Sequence, residues 1–356
     1  MNGGAHRAPS RVGRRKALAG IAALAVAPAA AVVVTQVRGK TTAAEATTGP
    51  SHAPSAGAST PAKGSKPSGV AVVAKGGGPV PYVRGRTMLG AYLDLEGLSE
   101  TEAIKLRRRQ TGRDPRILHQ FFAWQDTLPR SLPWLPDDSY PMISWRGTDH
   151  GSILSGKFDD LIARNAKQLK RLGRPVLLRW GWEMNGDWYR WGGAQNNNNP
   201  AGYVRSWKRI REIFADQKAD NVSWVWSPNW NDKPAAAWNA KLKFYPGDDM
   251  VDWVGVSGYN LNRELPGALF QGIYDLYGGK KPLMITEVGS VDRGGRTKAD
   301  WTTALATWVK QHPAVGAVVW FDTDTHYNYH EKWRVDTDPE SLAAFVAMAK
   351  DPHFAA

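Results

Sequence analysis

From about residue 86 onward, short apolar runs alternate with amphipathic stretches, and this alternation limits the possible folds more than any other feature of the chain. Eight runs read as strands: Met88–Asp94, Arg116–Phe122, Met142–Arg146, Val176–Glu183, Ser223–Asn229, Trp253–Asn260, Leu283–Ser290 and Ala317–Asp324. They have the length and the β-branched and aromatic content that strands favour. Apolar residues recur at helical spacing in Phe158–Leu172, Tyr203–Gln217, Ala268–Tyr277 and Lys298–Gln311, and Pro339–Lys350 follows the last run. Eight strands alternating with helices predict an α/β chain folded as a (β/α)8 TIM barrel. An open doubly wound sheet would alternate in the same way, but no Gly-rich phosphate loop follows any run. The barrel is expected to occupy residues 81–356, and a length of 356 residues leaves room for it and for appendages.

The appendages lie upstream. Arg14-Arg15-Lys16 precedes an Ala-rich apolar run over Ala17–Val34, which includes Ala-Pro-Ala-Ala-Ala at 27–31, small residues that suit a signal peptidase. Paired arginines before a modest apolar stretch predict a twin-arginine export signal over residues 1–35. The run is shorter than the roughly 20 residues a spanning helix needs, so no membrane partner is expected. Residues 36–80 are Ala, Thr, Ser, Pro, Gly and Lys with almost no large apolar side chain, the composition of a disordered linker. The net charge of +13 does not point to nucleic acid: residues 1–80 carry ten Lys/Arg and one acid, so +9 lies there and +4 remains for the rest. With no cysteine in the chain, disulfides, thiol catalysis and Cys-ligated metals are excluded. His326 and His330 have a spacing that suits zinc only on a helix, and Tyr327-Asn328-Tyr329 between them reads as loop, so no metal or cofactor is assigned.

Polar residues collect at the C-terminal ends of the runs, where a (β/α)8 barrel carries its site. Glu183 and Glu287 each end an otherwise apolar run, the fourth and the seventh, which lie nearly opposite across a barrel mouth. Two carboxyl groups facing each other over a bound sugar are what glycoside hydrolysis needs: one protonated, to help the leaving group depart, and one ionised. The aromatic content agrees. There are 17 Trp, all after residue 80, and the flat apolar face of an indole stacks on the C–H face of a sugar ring. About half of them are expected to pack the core instead. Trp145, Trp188, Trp191 and Trp230 are the candidate platforms, with Asn185 and Asn229 beside them as candidate hydrogen-bonding residues.

The run Arg179-Trp-Gly-Trp-Glu183-Met-Asn185-Gly-Asp-Trp188-Tyr189-Arg-Trp191-Gly resembles the strand-four motif of glycoside hydrolase family 26, which holds β-mannanases with some β-1,3-1,4-glucanases and β-1,3-xylanases. Trp224-Val-Trp226-Ser-Pro-Asn229, Trp253-Val-Gly-Val-Ser-Gly-Tyr259-Asn260 and Ile285-Thr-Glu287-Val-Gly-Ser290 look like its next three strands. The resemblance covers about residues 86–350. It implies a retaining mechanism with Glu183 as acid/base and Glu287 as nucleophile. It further implies that Tyr259 hydrogen-bonds the nucleophile, that Arg179 holds its strand-four partner or the nucleophile, and that Trp320 floors the subsite beside the cleaved bond. Many members carry His before the acid/base; this chain has Trp182, which only donates and fills more volume, so the sugar it admits is left open.

The expectation is therefore a secreted, monomeric endo-glycosidase acting on a β-linked polysaccharide or oligosaccharide, β-mannan or β-glucan-like, by double displacement. The rivals are a carbohydrate-binding barrel without catalysis and a transglycosylase on a cell-surface glycan.

Overall fold

The computed structural model describes residues 76–324 and 332–356. Eight parallel strands close into one barrel in sequence order. They are β1 (Met88–Asp94), β2 (Ile117–Phe122), β3 (Tyr140–Trp145), β4 (Val176–Trp180), β5 (Val222–Trp226), β6 (Trp253–Asn260), β7 (Leu283–Ser290) and β8 (Val315–Thr323). Outside them lie α1 (Glu100–Thr111), α2 (His150–Leu154), α3 (Asp159–Leu172), α4 (Pro200–Asp216), α5 (Pro266–Tyr277), α6 (Thr297–Gln311) and α7 (Pro339–Lys350). The (β/α)8 expectation holds, with two departures: residues 123–139, between β2 and β3, form no helix, and the link from β5 to β6 holds only three short 3-10 turns, Ala237–Asn239, Lys241–Phe244 and Asp248–Met250. The export signal and nearly all of the predicted linker fall outside the described residues, as do His326 and His330. Among the described residues no helix is long and apolar enough to cross a membrane.

Local chemistry sets the helix ends. Ser99 and Glu102 form a reciprocal capping box at the start of α1, and Gly112 closes it in the left-handed conformation. Asp338 caps α7, with Pro339 at its first turn, where a missing N–H costs nothing.

Strand alternation divides the core into two layers. Met88, Ile117, Met142, Leu177, Val225 and Met284, from different strands, meet inside the lower barrel in one buried cluster with Val80 and Tyr82. The floor is tied in by the Trp253 indole and the Ser223 hydroxyl, which both donate to the Gly77 carbonyl (2.9 and 2.6 Å). The alternate residues, such as Ile143, Leu178, Trp180, Val254 and Val318, point outward into a larger cluster shared with the helices. Above the apolar floor the inward positions turn polar, and that change places the site.

Candidate active site

Arg179 is the hub. On β4, Val176, Leu178 and Trp180 face the helices while Leu177 faces the barrel interior, so Arg179 also points inward. Its side chain is fully buried. One terminal nitrogen donates to the Glu287 carboxylate and to Ser144 Oγ (3.2 Å). The other donates to Ser257 Oγ (2.5 Å). Its guanidinium carbon lies 5.3 Å from the centre of the Trp182 ring.

Glu287 reaches the interior through an irregularity. Val256 of β6 is in register with Ile285 of β7, but the next residue, Ser257, is in register with Glu287, so Thr286 is an extra residue. Met284 faces in and Ile285 out, so strict alternation would put Thr286 inward and Glu287 outward. The bulge turns Glu287 inward to Arg179. Its second oxygen accepts from the Tyr259 hydroxyl at 2.6 Å. Burial, and then the negative charge of Glu287, holds the Tyr259 phenol well above its ordinary pKa of 10.0, so it remains a donor.

Glu183 lies beyond the end of β4. The predicted run Val176–Glu183 is longer than the strand because Gly181 and Glu183 both adopt left-handed backbone, each with φ of 53°. For a glutamate that conformation costs roughly 1–3 kcal/mol and persists only where surrounding bonds impose it. Here the Glu183 amide donates to the Ser227 carbonyl at 2.8 Å, and its carbonyl accepts from the Gly186 amide at 2.9 Å. The Trp188 indole donates to Glu183 Oε2 at 2.9 Å. Gly186 permits that approach: a Cβ on it would lie 2.4 Å from the Trp188 ring. Burial, and next the charge of Glu287, raise the Glu183 carboxyl from 4.5 to about 7, opposed by Arg179 and by hydrogen bonds from Ser257 and Trp188. Ser257 thus bears on both halves, accepting from Arg179 and favouring the ionised form of Glu183.

A buried carboxyl that keeps its proton toward neutral pH, beside a second carboxyl paired with a guanidinium, is an arrangement able to divide proton donation from nucleophilic attack. In agreement with that chemistry, the family model described as glycosyl hydrolase family 26 matches residues 136–338. The chain belongs to glycosyl hydrolase family 26. This family 26 chain is 31% identical to Endoglucanase H of Acetivibrio thermocellus over 275 residues, 72% of this chain and 30% of that relative. It is 27% identical to a mannan endo-1,4-beta-mannosidase of Bacillus subtilis over 221 residues, 57% of this chain and 56% of that one. It therefore spans at most about half the length of these curated relatives. A solved Bacillus subtilis mannanase superposes with a TM-score of 0.54 at 23% identity, covering 76% of this chain and 86% of that chain, which shows a shared fold.

Several of the expected sugar-binding residues of this family 26 chain face away from the mouth. Trp320 points outward, edge-on to Trp301 of α6 and Phe345 of α7, so it cannot floor a subsite. The inward neighbour is Phe321, which packs on Tyr92 and Tyr259, and Trp333 packs on Tyr259 at 5.0 Å. Trp145 is fully buried, stacked on Trp124 at 4.6 Å against α3 and α4. Trp191 stacks on Tyr189 at 4.3 Å and donates to the Trp182 carbonyl, which holds the β4 loop together. Trp182 is buried among Phe121, Tyr189 and Trp191, so it packs beside Arg179 and shows no face to solvent. The Asn185 side chain is consumed by Asn229, Asn231 and Asp232, and Asn229 turns its amide to Asn231; both tie the loops after β4 and β5 together.

Trp188 and Trp230 remain partly exposed, on those same two loops. An open groove of about 520 Å³ starts beside them, over Asp187 and Asn231–Ala236. Trp145→Ala separates core from platform: the unfolding free energy should fall by about 3–5 kcal/mol with KM of the folded enzyme unchanged, as urea titration and steady-state kinetics would read.

The sequence reading missed Ser144, Ser257 and His119. His119 Nε2 lies 2.6 Å from Ser144 Oγ, and burial, then the charge of Arg179, keeps the imidazole neutral by lowering its pKa well below 6.5. The available signal was alternation: each of these three takes an inward position one layer above an apolar one.

Proposed function

We propose that this chain is a secreted, monomeric endo-glycoside hydrolase that cleaves β-mannan or a β-glucan with retention of anomeric configuration. The observation carrying this reading is the contrast between the two carboxyls. Glu287 accepts from Arg179 and Tyr259, whereas Glu183 holds its proton up to about pH 7. Glu287 attacks the anomeric carbon as the glycosidic C–O bond breaks, and the Glu183 proton passes to the leaving oxygen. Glu183, now ionised, takes a proton from water, whose oxygen displaces Glu287 and releases the sugar. Arg179 and Tyr259 would hold the nucleophile; Trp188 and Trp230 would stack sugars on the open side. The mannanase and endoglucanase relatives support the two substrate classes, and the paired arginines Arg14-Arg15 support export.

The test is digestion of mannan, glucomannan, mixed-linkage β-glucan and xylan, followed by proton NMR of the first products. Reducing ends on mannan or β-glucan that appear as the β-anomer before mutarotation are expected. First products in the α-form would replace retention by inversion, and tight binding without cleavage of any glycan would leave a binding barrel.

A further inference from the structure

The cation that the chemistry above does not use is Arg146, one residue past β3. On that strand Met142 faces the barrel interior, Ile143 the helices, Ser144 the interior and Trp145 the helices. Alternation therefore directs Arg146 inward at the mouth, one layer above the Ser144–Arg179 contact. Its backbone amide is fixed to the Phe122 carbonyl at 3.0 Å. Its side chain is half-buried, and its Nε is shielded from solvent without a hydrogen-bond partner. Among the described residues no carboxylate or carbonyl accepts from it. Two acids on the flanking loops are engaged elsewhere: Asp126 accepts from the Ala123 amide at 2.7 Å, and Asp149 from the Ser152 amide at 2.8 Å and from Arg190 at 3.5 Å. Arg179, the other inward cation, has its terminal nitrogens committed to Glu287, Ser144 and Ser257.

A shielded donor without an acceptor is costly and rare in a folded protein. A guanidinium presents a rigid fork that a planar carboxylate fills with two parallel hydrogen bonds. We propose that Arg146 binds a carboxylate carried by the substrate, so that the preferred glycan bears uronic acid residues on its β-linked chain. This deepens the hydrolase reading and rests on it.

The probes are a β-1,4-gluco-oligosaccharide and a manno-oligosaccharide, each paired with its C6-oxidised form. Binding is measured by calorimetry with the full chain carrying Glu183→Gln, which slows turnover while leaving Arg179 paired with Glu287. The oxidised member of at least one pair should bind about tenfold more tightly than its neutral partner, the scale of one charge-assisted pair. Arg146→Gln should reduce that preference to within about twofold without weakening the neutral ligand, Arg146→Lys should keep part of it, and raising salt should shrink it. Equal binding of both members by the parent chain, or an equal loss for both in Arg146→Gln, overturns the proposal and assigns Arg146 to neutral hydroxyls. Carboxylate preference without cleavage of any glycan would refute the hydrolase reading and leave this one standing. Cleavage of neutral glycans with no preference would do the reverse.

Discussion

Glu287→Ala should abolish hydrolysis, lowering kcat/KM on the order of 10⁵-fold, because no carboxylate remains to form the glycosyl-enzyme. Its second effect is on the fold. Arg179 is fully buried, and losing its carboxylate partner leaves a guanidinium that Ser144 and Ser257 solvate but do not neutralise. Breaking a buried pair from one side costs about 3–5 kcal/mol, so the denaturation midpoint should fall measurably. Glu287→Gln keeps one acceptor oxygen for Arg179 and turns an NH2 toward the Tyr259 hydroxyl, which can rotate to accept, and should lose as much activity with a smaller loss of stability. Azide gives the diagnostic readout. A small anion entering the space left by Glu287→Ala attacks the same face of the anomeric carbon, so turnover returns and the product is an α-glycosyl azide. A variant that retains more than about one hundredth of wild-type activity without azide would show that Glu287 is not the nucleophile.

Replacing Glu183 should act through pH. Proton donation needs the acid form, so wild-type kcat/KM should fall about tenfold per pH unit above roughly 7, where the carboxyl loses its proton. Glu183→Gln should lower kcat by roughly 10²–10⁴-fold and erase that limb, with a much smaller loss on aryl glycosides whose leaving groups need no proton. Trp188→Phe removes a donor that favours the ionised form, so the alkaline limb should move to higher pH.

Stability carries the same signature. The folded pKa lies above the ordinary 4.5, so the unfolded chain gives up this proton first as pH rises. The contribution of protonated Glu183 is complete below about pH 4.5 and is lost as pH passes through 7. Glu183→Gln, permanently neutral, should therefore become progressively more stable than wild type across that interval. Parallel pH–stability curves for the two proteins would remove Glu183 as the buried titrating group.

The barrel was legible because its signal is periodic. Strands β1, β6 and β7 and helix α7 have the bounds predicted for them, and the other five strands survive with ends moved by up to three residues. The largest shifts, at the C-terminal ends of β4 and β5, lie at the site. Val176–Glu183 reads as one run, yet β4 stops at Trp180 because Gly181 and Glu183 take left-handed backbone, a conformation no propensity assigns to a glutamate. Tryptophan was the least legible residue. Composition supplies the count, but a half-turn of strand decides whether an indole meets a sugar or a helix, and Trp145 and Trp320 both meet helices.

The sequence by itself determined the alternating elements, the family and the two glutamates, because hydrophobic period and residue type are properties of the chain taken locally. Tertiary structure alone decided which way those glutamates face and what they touch. The extra residue in β7 turns Glu287 inward, and Ser257, Ser144 and His119 gather around Arg179 from three other strands. The proton on Glu183 depends on burial and on the charge of Glu287, residues distant in sequence brought together when the barrel closes. Electrostatic energy depends on distance and solvent exposure, and neither exists until the chain has folded.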